Sequence, residues 1–172
     1  MSGRPSREER FRTLVAENRP LVRRNARAYA DDPHDAEDLH QEILLEVWRS
    51  LPSYRGDAGP GTWLYRVALN TALARERKRE VRRDARVGDE VLPGGRSFPP
   101  PDRRSDGRRR VERLYGAIDE LEETDRALVL MYLDGRSYRE ISEVVGITEN
   151  HVGVKLHRLK KTLADILTED GS

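Results

Sequence analysis

The chain of 172 residues contains no cysteine, and only 6% of its residues are aromatic. Without cysteine, a disulfide framework, a thiolate zinc site and a thiol redox switch are excluded. No stretch approaches the roughly 20 apolar residues that a membrane-spanning helix requires. The first ten residues, MSGRPSREER, lack the apolar core of a secretory signal. We therefore expect a cytoplasmic protein with no membrane insertion.

Charged residues make up 37% of the chain, which favours two small helical units over one large core. The net charge of +1 conceals strong segregation of charge along the sequence. Residues 31–46 carry acids but no lysine or arginine, as do residues 119–125, whereas residues 75–86 and 155–161 are mainly basic. This pattern indicates one surface for a protein partner and another for a polyanion. Charge alone leaves open the alternative of ordinary solvated helix faces.

Helical periodicity dominates the first half of the chain, and no convincing alternating strand appears. Apolar residues predict two helices on either side of Pro20 and a third that begins near Asp35. The apolar face of this third helix includes Leu39 and Trp48, and we assign Trp48 to the core. Thr62 is the predicted N-cap of a long helix whose helical character fades after about residue 86.

Residues 88–107 combine glycine, proline, serine and charge with little to bury, so they predict a flexible linker. Helical patterns resume at Arg108 and continue over 124–133, over 138–145 after a cap at Ser137, and in a last helix capped by Thr148. The expected fold is all-α, with two small helical domains at residues 1–87 and 108–172.

The stretch from Ser137 to Leu163 has the pattern of a helix-turn-helix. Ser142 is small enough for two helices to approach, Gly146 suits a left-handed turn, and Val152 closes the angle between the helices. Such a unit presents its second helix to the major groove of DNA. The alternative is a plain helical hairpin with a solvated basic face. The candidate DNA-binding residues are Thr148, Asn150, His151, Val154, Lys155, His157, Arg158 and Lys161.

Two motifs together carry a resemblance that covers nearly the whole chain. The first is the acidic DAEDLHQE at 35–42, which is followed by a loop and then by WLYRVALN at 63–70. The second is the helix-turn-helix described above. In this order, the two motifs resemble the extracytoplasmic-function (ECF) group of bacterial RNA polymerase sigma factors. The resemblance implies a non-enzymatic protein without a cofactor that directs transcription initiation at a particular class of promoter.

The resemblance also implies which partners the chain binds. The acidic helix would dock on the clamp helices of the largest subunit of core RNA polymerase, with its acids facing basic residues. The second domain would contact the flap of the second-largest subunit, and an anti-sigma factor would hold the protein inactive. The residues that the resemblance assigns to polymerase binding are Asp35, Glu37, Asp38, Leu39, Gln41 and Glu42.

Promoter recognition is implied at two places. The loop at 54–62 and the helix that follows would recognise the minus-ten element, including a base flipped from the melted strand. The residues concerned are Tyr54, Arg55, Gly56, Thr62, Trp63, Arg66, Asn70, Arg75, Arg77 and Lys78. Trp63 is equally suited to the core and to stacking on a base. The last helix would read the minus-thirty-five element, but Gly153 and Val154 stand where many members carry a basic residue and serine.

Other functions fit parts of the sequence. Glu37 and His40 have the E-x-x-H spacing of di-iron bundles, but a second such pair on facing helices is missing from the sequence. A helix-turn-helix regulator that binds duplex DNA alone would use residues 1–85 for sensing or dimerisation. A sigma-like decoy would keep the acidic helix and lose promoter binding. The acidic helix, the glycine-rich loop and the basic helix, in that order, favour the sigma factor.

Overall fold

In the computed structural model, residues 5–85 and 106–169 are described, and they fall into two compact units that lie within Met1–Ser97 and Phe98–Ser172 respectively. No strand occurs among these residues, which confirms the predicted all-α fold with two small helical domains. No helix in these two ranges is long and apolar enough to cross a membrane. The helices are α1 (Arg7–Glu17), α2 (Arg19–Ala28), α3 (Pro33–Ser50), α4 (Pro60–Ala85), α5 (Asp106–Asp119), α6 (Glu123–Leu133), α7 (Tyr138–Val145) and α8 (Glu149–Glu169).

The starts of the first three helices follow from local chemistry. Ser6 begins α1 with a capping box, in which its hydroxyl accepts from the backbone of Glu9 and the Glu9 carboxylate accepts from the backbone of Ser6. Pro20 lies in the first turn of α2, where its missing N–H costs nothing. Asp32 caps α3 by accepting from the backbone N–H of Asp35 at 2.8 Å. The third helix therefore begins at Pro33, slightly before the predicted start near Asp35.

The core of the first unit is formed by α2, α3, α4 and the end of α1. On α3, Leu39, Ile43 and Val47 recur at helical spacing and are fully buried against α2 and α4. Trp48 was expected in this core but is only half-buried. Its ring lies at the surface under Phe11, which meets it edge-on with centroids 5.4 Å apart, and under the Arg7 guanidinium at 4.2 Å.

The start of α4 corrects the predicted role of Thr62. The helix begins at Pro60, and the backbone N–H of Trp63 donates to the carbonyl of Gly59 at 2.9 Å. Thr62 therefore lies inside the first turn instead of capping it, and its side chain is buried. The residues just before the helix form a short 3-10 turn, Leu51–Ser53, and a loop in which Gly56 has φ of 84°.

In the second unit, the predicted helix-turn-helix is present as α7 and α8. Ser137 and Glu140 form a capping box at the start of α7, and Gly146 ends α7 in the left-handed conformation with φ of 78°. Thr148 caps α8, because its hydroxyl accepts from the backbone of His151 at 3.2 Å. The buried stripe of α8 consists of Val152, Leu156, Leu159 and Leu163.

The predicted linker at 88–107 lies outside the described residues except for its last two positions. Those two, Asp106 and Gly107, belong to the first turn of α5, so this helix begins before the predicted start at Arg108. A buried arginine joins α5 to α6. Arg126 donates to the carbonyls of Asp119 at 2.9 Å and Leu121 at 3.2 Å, which satisfies acceptors left open where α5 ends.

Candidate functional site

The six α3 residues assigned to polymerase binding divide into three groups by burial. Leu39 is fully buried in the core, so its side chain offers no surface to a partner. Asp35 is half-buried and bonded to α4. Glu37, Asp38, Gln41 and Glu42 are exposed. We refer to Glu37, Asp38 and Gln41 as the exposed edge of α3. The Oδ2 atom of Asp38 lies 3.5 Å from Nδ1 of the exposed His34, one turn earlier in the helix.

Five charged side chains join α4 to α3 and to Asp31, which lies just before α3, in what we refer to as the ion-pair cluster. Arg75 donates to Asp35 at 2.5 Å and to Glu42 at 3.0 Å, while Arg79 donates to Asp31 at 2.8 Å and also to Asp35. Arg75 and Arg79 are four residues apart and therefore share one face of α4. Because both guanidinium groups are only about one-fifth exposed, their first role is to hold α4 against α3.

Two groups of the ion-pair cluster, Asp35 and Arg79, have pKa values shifted toward their charged forms. Burial opposes ionisation of Asp35, but hydrogen bonds from Arg79 and from the backbone of Asp31, with the charge of Arg75, outweigh it, so the pKa of Asp35 is lowered. Burial likewise opposes the charge on Arg79, but the hydrogen bond to Asp35 and the charges of Asp35, Asp31 and Glu76 together outweigh it, so the pKa of Arg79 is raised. The two shifts agree that Asp35 and Arg79 are both ionised near neutral pH.

The loop assigned to minus-ten recognition is closed by two aromatic side chains. The ring of Tyr54 stacks on that of Trp63 with centroids 4.7 Å apart, and the Tyr54 hydroxyl donates to the carbonyl of Ala58 at 2.6 Å. Trp63 is half-buried, with its ring against that of Tyr54, and its stacking on a base stays a prediction. Arg55 and Gly56 are exposed at the tip of this loop.

The minus-ten candidates on α4 are not all available to DNA. Asn70, Arg77 and Lys78 are exposed, and Arg66 is half-buried. Thr62 is buried, and Arg75 is bonded to Asp35 and Glu42 in the ion-pair cluster. These two candidates therefore differ from the rest in having side chains that are held by the fold. A groove of about 680 Å³ lies between α3 and α4, lined by residues that include Leu45, Asn70, Arg75 and Lys78.

The minus-thirty-five candidates on α8 lie mainly on the face opposite the core. Asn150, Val154, His157 and Lys161 follow each other at steps of four, three and four residues, which places them on one stripe, and all four are exposed. Arg158 is exposed next to this stripe. Lys155 is turned toward α6, where its ammonium group pairs with Asp125.

Three residues in the ion-pair cluster and beside α8 were not among the site residues predicted from the sequence. Asp31 and Arg79 belong to the ion-pair cluster, and the segregation of acids at 31–46 from bases at 75–86 is the signal that could have found them. Tyr138 was not a candidate, yet it shares a groove with Asn150 and Val154 on α8. Its position depends on the packing of two helices, for which the sequence carries no direct signal.

The E-x-x-H pair of Glu37 and His40 lies on α3, with Glu37 exposed and His40 half-buried. Within residues 5–85 and 106–169, no three histidine or carboxylate side chains are grouped to hold a metal ion. Burial lowers the pKa of His40, and the charges of Arg23 and Arg19 add to this effect against the opposing charge of Glu37. His40 is thus a neutral imidazole at the edge of the core near neutral pH.

Both units match known protein families. Residues 14–82 match the model of Sigma-70 region 2, and residues 111–163 match that of Sigma-70, region 4. The chain is 33% identical to the ECF RNA polymerase sigma factor SigE of Mycolicibacterium smegmatis over 168 residues, or 92% of this chain and 62% of that protein. It is 30% identical to the ECF RNA polymerase sigma-E factor of Escherichia coli K12 over 137 residues, or 75% of this chain and 72% of that protein.

Two solved structures share the fold. The sigma factor RpoE from Bartonella quintana, in complex with the anti-sigma factor NepR, matches with a TM-score of 0.75 at 22% identity, covering 92% of this chain and 96% of that one. CnrH, in complex with the cytosolic domain of CnrY, matches with a TM-score of 0.65 at 21% identity, covering 93% and 88%. The two region models in order, together with the SigE and sigma-E relatives, leave the stand-alone regulator unfavoured. The chain belongs to the extracytoplasmic-function group of RNA polymerase sigma factors.

Proposed function

We propose that this protein acts in the cytoplasm as an ECF sigma factor that binds core RNA polymerase and directs transcription initiation at a particular class of promoter. The observation that carries the proposal is the presence, in one chain and in this order, of a region-2 unit and a region-4 unit. The chain spans 62% of the length of the SigE relative, so its activity is argued from its own surfaces. It has no enzymatic role in this proposal.

We assign polymerase docking to residues 1–87 and in particular to the exposed edge of α3. Glu37, Asp38 and Gln41 recur at helical spacing on one side of the helix, and all three are exposed. Carboxylates in this arrangement are complementary to basic side chains on the clamp helices of the largest polymerase subunit. Leu39 fixes the position of this edge by packing in the core, and Asp35 does so through the ion-pair cluster.

We assign promoter binding to both units. In the first, Arg55 and Gly56 at the loop tip and Asn70, Arg77 and Lys78 on α4 are exposed and suited to the minus-ten strand. In the second, residues 108–172, the exposed stripe of α8 is suited to the major groove of the minus-thirty-five element. Polymerase would hold the two units at the correct spacing, which makes their weak individual contacts act together.

We further propose two protein partners for regulation and docking. Region-4 residues would contact the flap of the second-largest polymerase subunit. An anti-sigma factor would occupy the polymerase-binding surfaces, by analogy with the complexes of RpoE with NepR and of CnrH with CnrY.

The test is assembly with core RNA polymerase that lacks any sigma factor. The purified chain is mixed with core enzyme at micromolar concentration and run on a sizing column. We expect a stoichiometric complex that is lost when Asp38 and Gln41 are both changed to alanine. Because these side chains are exposed, their removal should leave the fold intact, which circular dichroism would verify.

A matched control separates specific docking from a general loss of negative charge. Glu8 is an exposed acid on α1 that pairs with Arg12, one turn away. Glu8→Gln should leave the complex unchanged. Absence of a complex for the unaltered protein, together with duplex DNA binding by the protein alone, would contradict the proposal and favour the stand-alone regulator.

A further inference from the structure

Tyr138, the first residue of α7, lies directly against α8. A Cβ atom added to Gly153 would lie 3.3 Å from Cε2 and 3.8 Å from Cδ2 of the Tyr138 ring. The first distance is tighter than side chains normally pack, so a larger residue at 153 would displace the ring. Gly153 therefore supplies the space that Tyr138 occupies, which gives a structural reason for a glycine inside α8.

Tyr138 and Val154 bring apolar surface to the face of α8 that is opposite the core. Their exposed fractions are 41% and 42%, which is high for side chains of this size. They line one groove of about 420 Å³ together with Glu149, Asn150, Gly153, His157 and Arg158. Asn150, Val154 and His157 of this groove belong to the exposed stripe of α8 assigned above to the major groove. The groove is thus a part of the DNA-facing surface in which apolar side chains lie between one acid, Glu149, and one base, Arg158.

We infer that Tyr138 is a specificity-determining residue and that Tyr138 and Val154 together recognise thymine methyl groups in the minus-thirty-five element. The C5-methyl group of thymine is the apolar feature that the major groove displays, and apolar side chains distinguish thymine by contacting it. Tyr138 takes the place beside α8 that a side chain at position 153 would otherwise fill. This inference rests on the proposed function and deepens it.

Duplex DNA, and not a protein, is the occupant that the surroundings favour. Polar and basic side chains border the apolar pair, with Asn150 before it and His157 and Arg158 after it along α8. Asn150 can pair with adenine edges and Arg158 can hold phosphates, so the same face carries both kinds of contact that DNA needs. Two side chains cover an area suited to one or two methyl groups, far below that of a protein interface.

The size of the effect follows from the burial of one methyl group. Removing one buried methyl from an apolar contact weakens binding about fourfold, equivalent to about 0.8 kcal/mol. The wild-type protein should therefore prefer thymine about fourfold at each position that the pair contacts.

The experiment uses holoenzyme assembled from core polymerase and the full chain. A promoter library randomised over the minus-thirty-five element is transcribed, and the transcribed promoters are sequenced. We expect thymine to be enriched about fourfold at one or two positions. Tyr138→Ala and Val154→Ser should each reduce that enrichment, while the matched control Tyr138→Phe, which keeps the ring, should retain it. Gly153→Ala should reduce it as well, because it displaces the ring without altering either contacting side chain.

A second arm uses the unaltered protein and changes only the DNA. Deoxyuridine replaces the enriched thymine, which removes the methyl group and keeps every hydrogen-bonding atom. Holoenzyme with the wild-type chain should lose about fourfold in promoter binding, and holoenzyme with Val154→Ser should lose less. Equal binding of both promoters by the wild-type holoenzyme, or unchanged enrichment in the Tyr138→Ala and Val154→Ser variants, would overturn the inference.

The outcome of the library also separates this inference from the proposed function. Transcripts without any thymine preference would overturn the role of Tyr138 and Val154 and leave the sigma activity standing. No transcripts from any member of the library would overturn the proposed function and this inference with it.

Discussion

Two basic helices of this protein, α4 and α8, use their charge in opposite ways. On α4, the guanidinium groups of Arg75 and Arg79 are largely covered and bonded to carboxylates of α3 and to Asp31 just before it. On α8, Arg158 and Lys161 are exposed on or next to the outward stripe of the helix. A basic run in a sequence therefore has two meanings, attachment to a neighbouring helix or a surface for phosphate, and only the placement of the acids distinguishes them.

The largest expected effect is a loss of stability when a buried residue of α3 is shortened. It tests whether Leu39 belongs to the core or to the surface that binds a partner. Leu39→Ala should lower the free energy of unfolding of the first unit by about 2–5 kcal/mol, because Leu39 is fully buried. Both tryptophans, Trp48 and Trp63, belong to this unit, so their fluorescence during urea denaturation reports on it alone.

The control for Leu39 is another leucine on the same helix. Leu45 is 48% exposed, and Leu45→Ala should change the unfolding free energy by less than about 1 kcal/mol. Equal stability of the Leu39→Ala and wild-type proteins would mean that Leu39 faces a partner, as the resemblance first implied.

The next effect concerns attachment of α4 through the ion-pair cluster. Asp35→Ala removes the carboxylate shared by Arg75 and Arg79 and should destabilise the first unit by roughly 2 kcal/mol, since two partly buried guanidinium groups lose an acceptor. Asp57→Asn, at an exposed loop position, serves as the comparison and should be nearly neutral. Urea denaturation followed by tryptophan fluorescence measures both, and equal stabilities would show that the cluster contributes nothing.

A smaller effect on stability tests the turn at Gly146, which sets the direction of α8 after α7. Gly146 has φ of 78° at the end of α7, so Gly146→Ala should destabilise the second unit by about 1 kcal/mol. Gly116 lies within α5 at a position where a Cβ would meet nothing within 4 Å, and Gly116→Ala should stabilise the unit by up to about 1 kcal/mol. Hydrogen exchange of amides in α7 and α8 measures these two opposite changes in the stability of the second unit. Changes of the same sign would contradict the turn assignment.

The smallest effect is a dependence of stability on pH. The pKa of Asp35 is lowered in the folded state below its ordinary value of 3.8. Its contribution is therefore fully present above that value and is lost as the pH falls through the lower folded pKa. Wild-type and Asp35→Asn proteins compared by urea denaturation from pH 5 to pH 2.5 should converge in stability at the acid end. A constant difference across this range would exclude Asp35 as the titrating group.

Most of the fold could be predicted because it depends on local chemistry. The caps at Ser137 and Thr148 and the left-handed turn at Gly146 are determined by residues within one helical turn of each feature. The buried stripe of α8 follows directly from its 3.6-residue period. The predicted start of α4 was wrong because the helix begins at Pro60, a residue suited to the first helical position, and Thr62 therefore lies inside the first turn.

The parts of the candidate site that could not be predicted depend on contacts distant in sequence. Trp48 was assigned to the core, but Phe11 and Arg7 cover it at the surface from another helix. Arg126 caps α5 from within α6, although an arginine in an apolar helix normally indicates an exposed side chain. Tyr138 was overlooked because its contact with Gly153 appears only when α7 and α8 are packed.

The central claim is that α3 binds polymerase and α8 binds promoter DNA, and one measurement on paired variants tests it most directly. Assembly with core enzyme and initiation at a selected promoter are measured for Asp38→Ala/Gln41→Ala and for Asn150→Ala/Arg158→Ala. We predict that the first variant loses both activities, while the second assembles normally and loses initiation at that promoter. Normal assembly by the first variant, or failed assembly by the second, would contradict this division of roles.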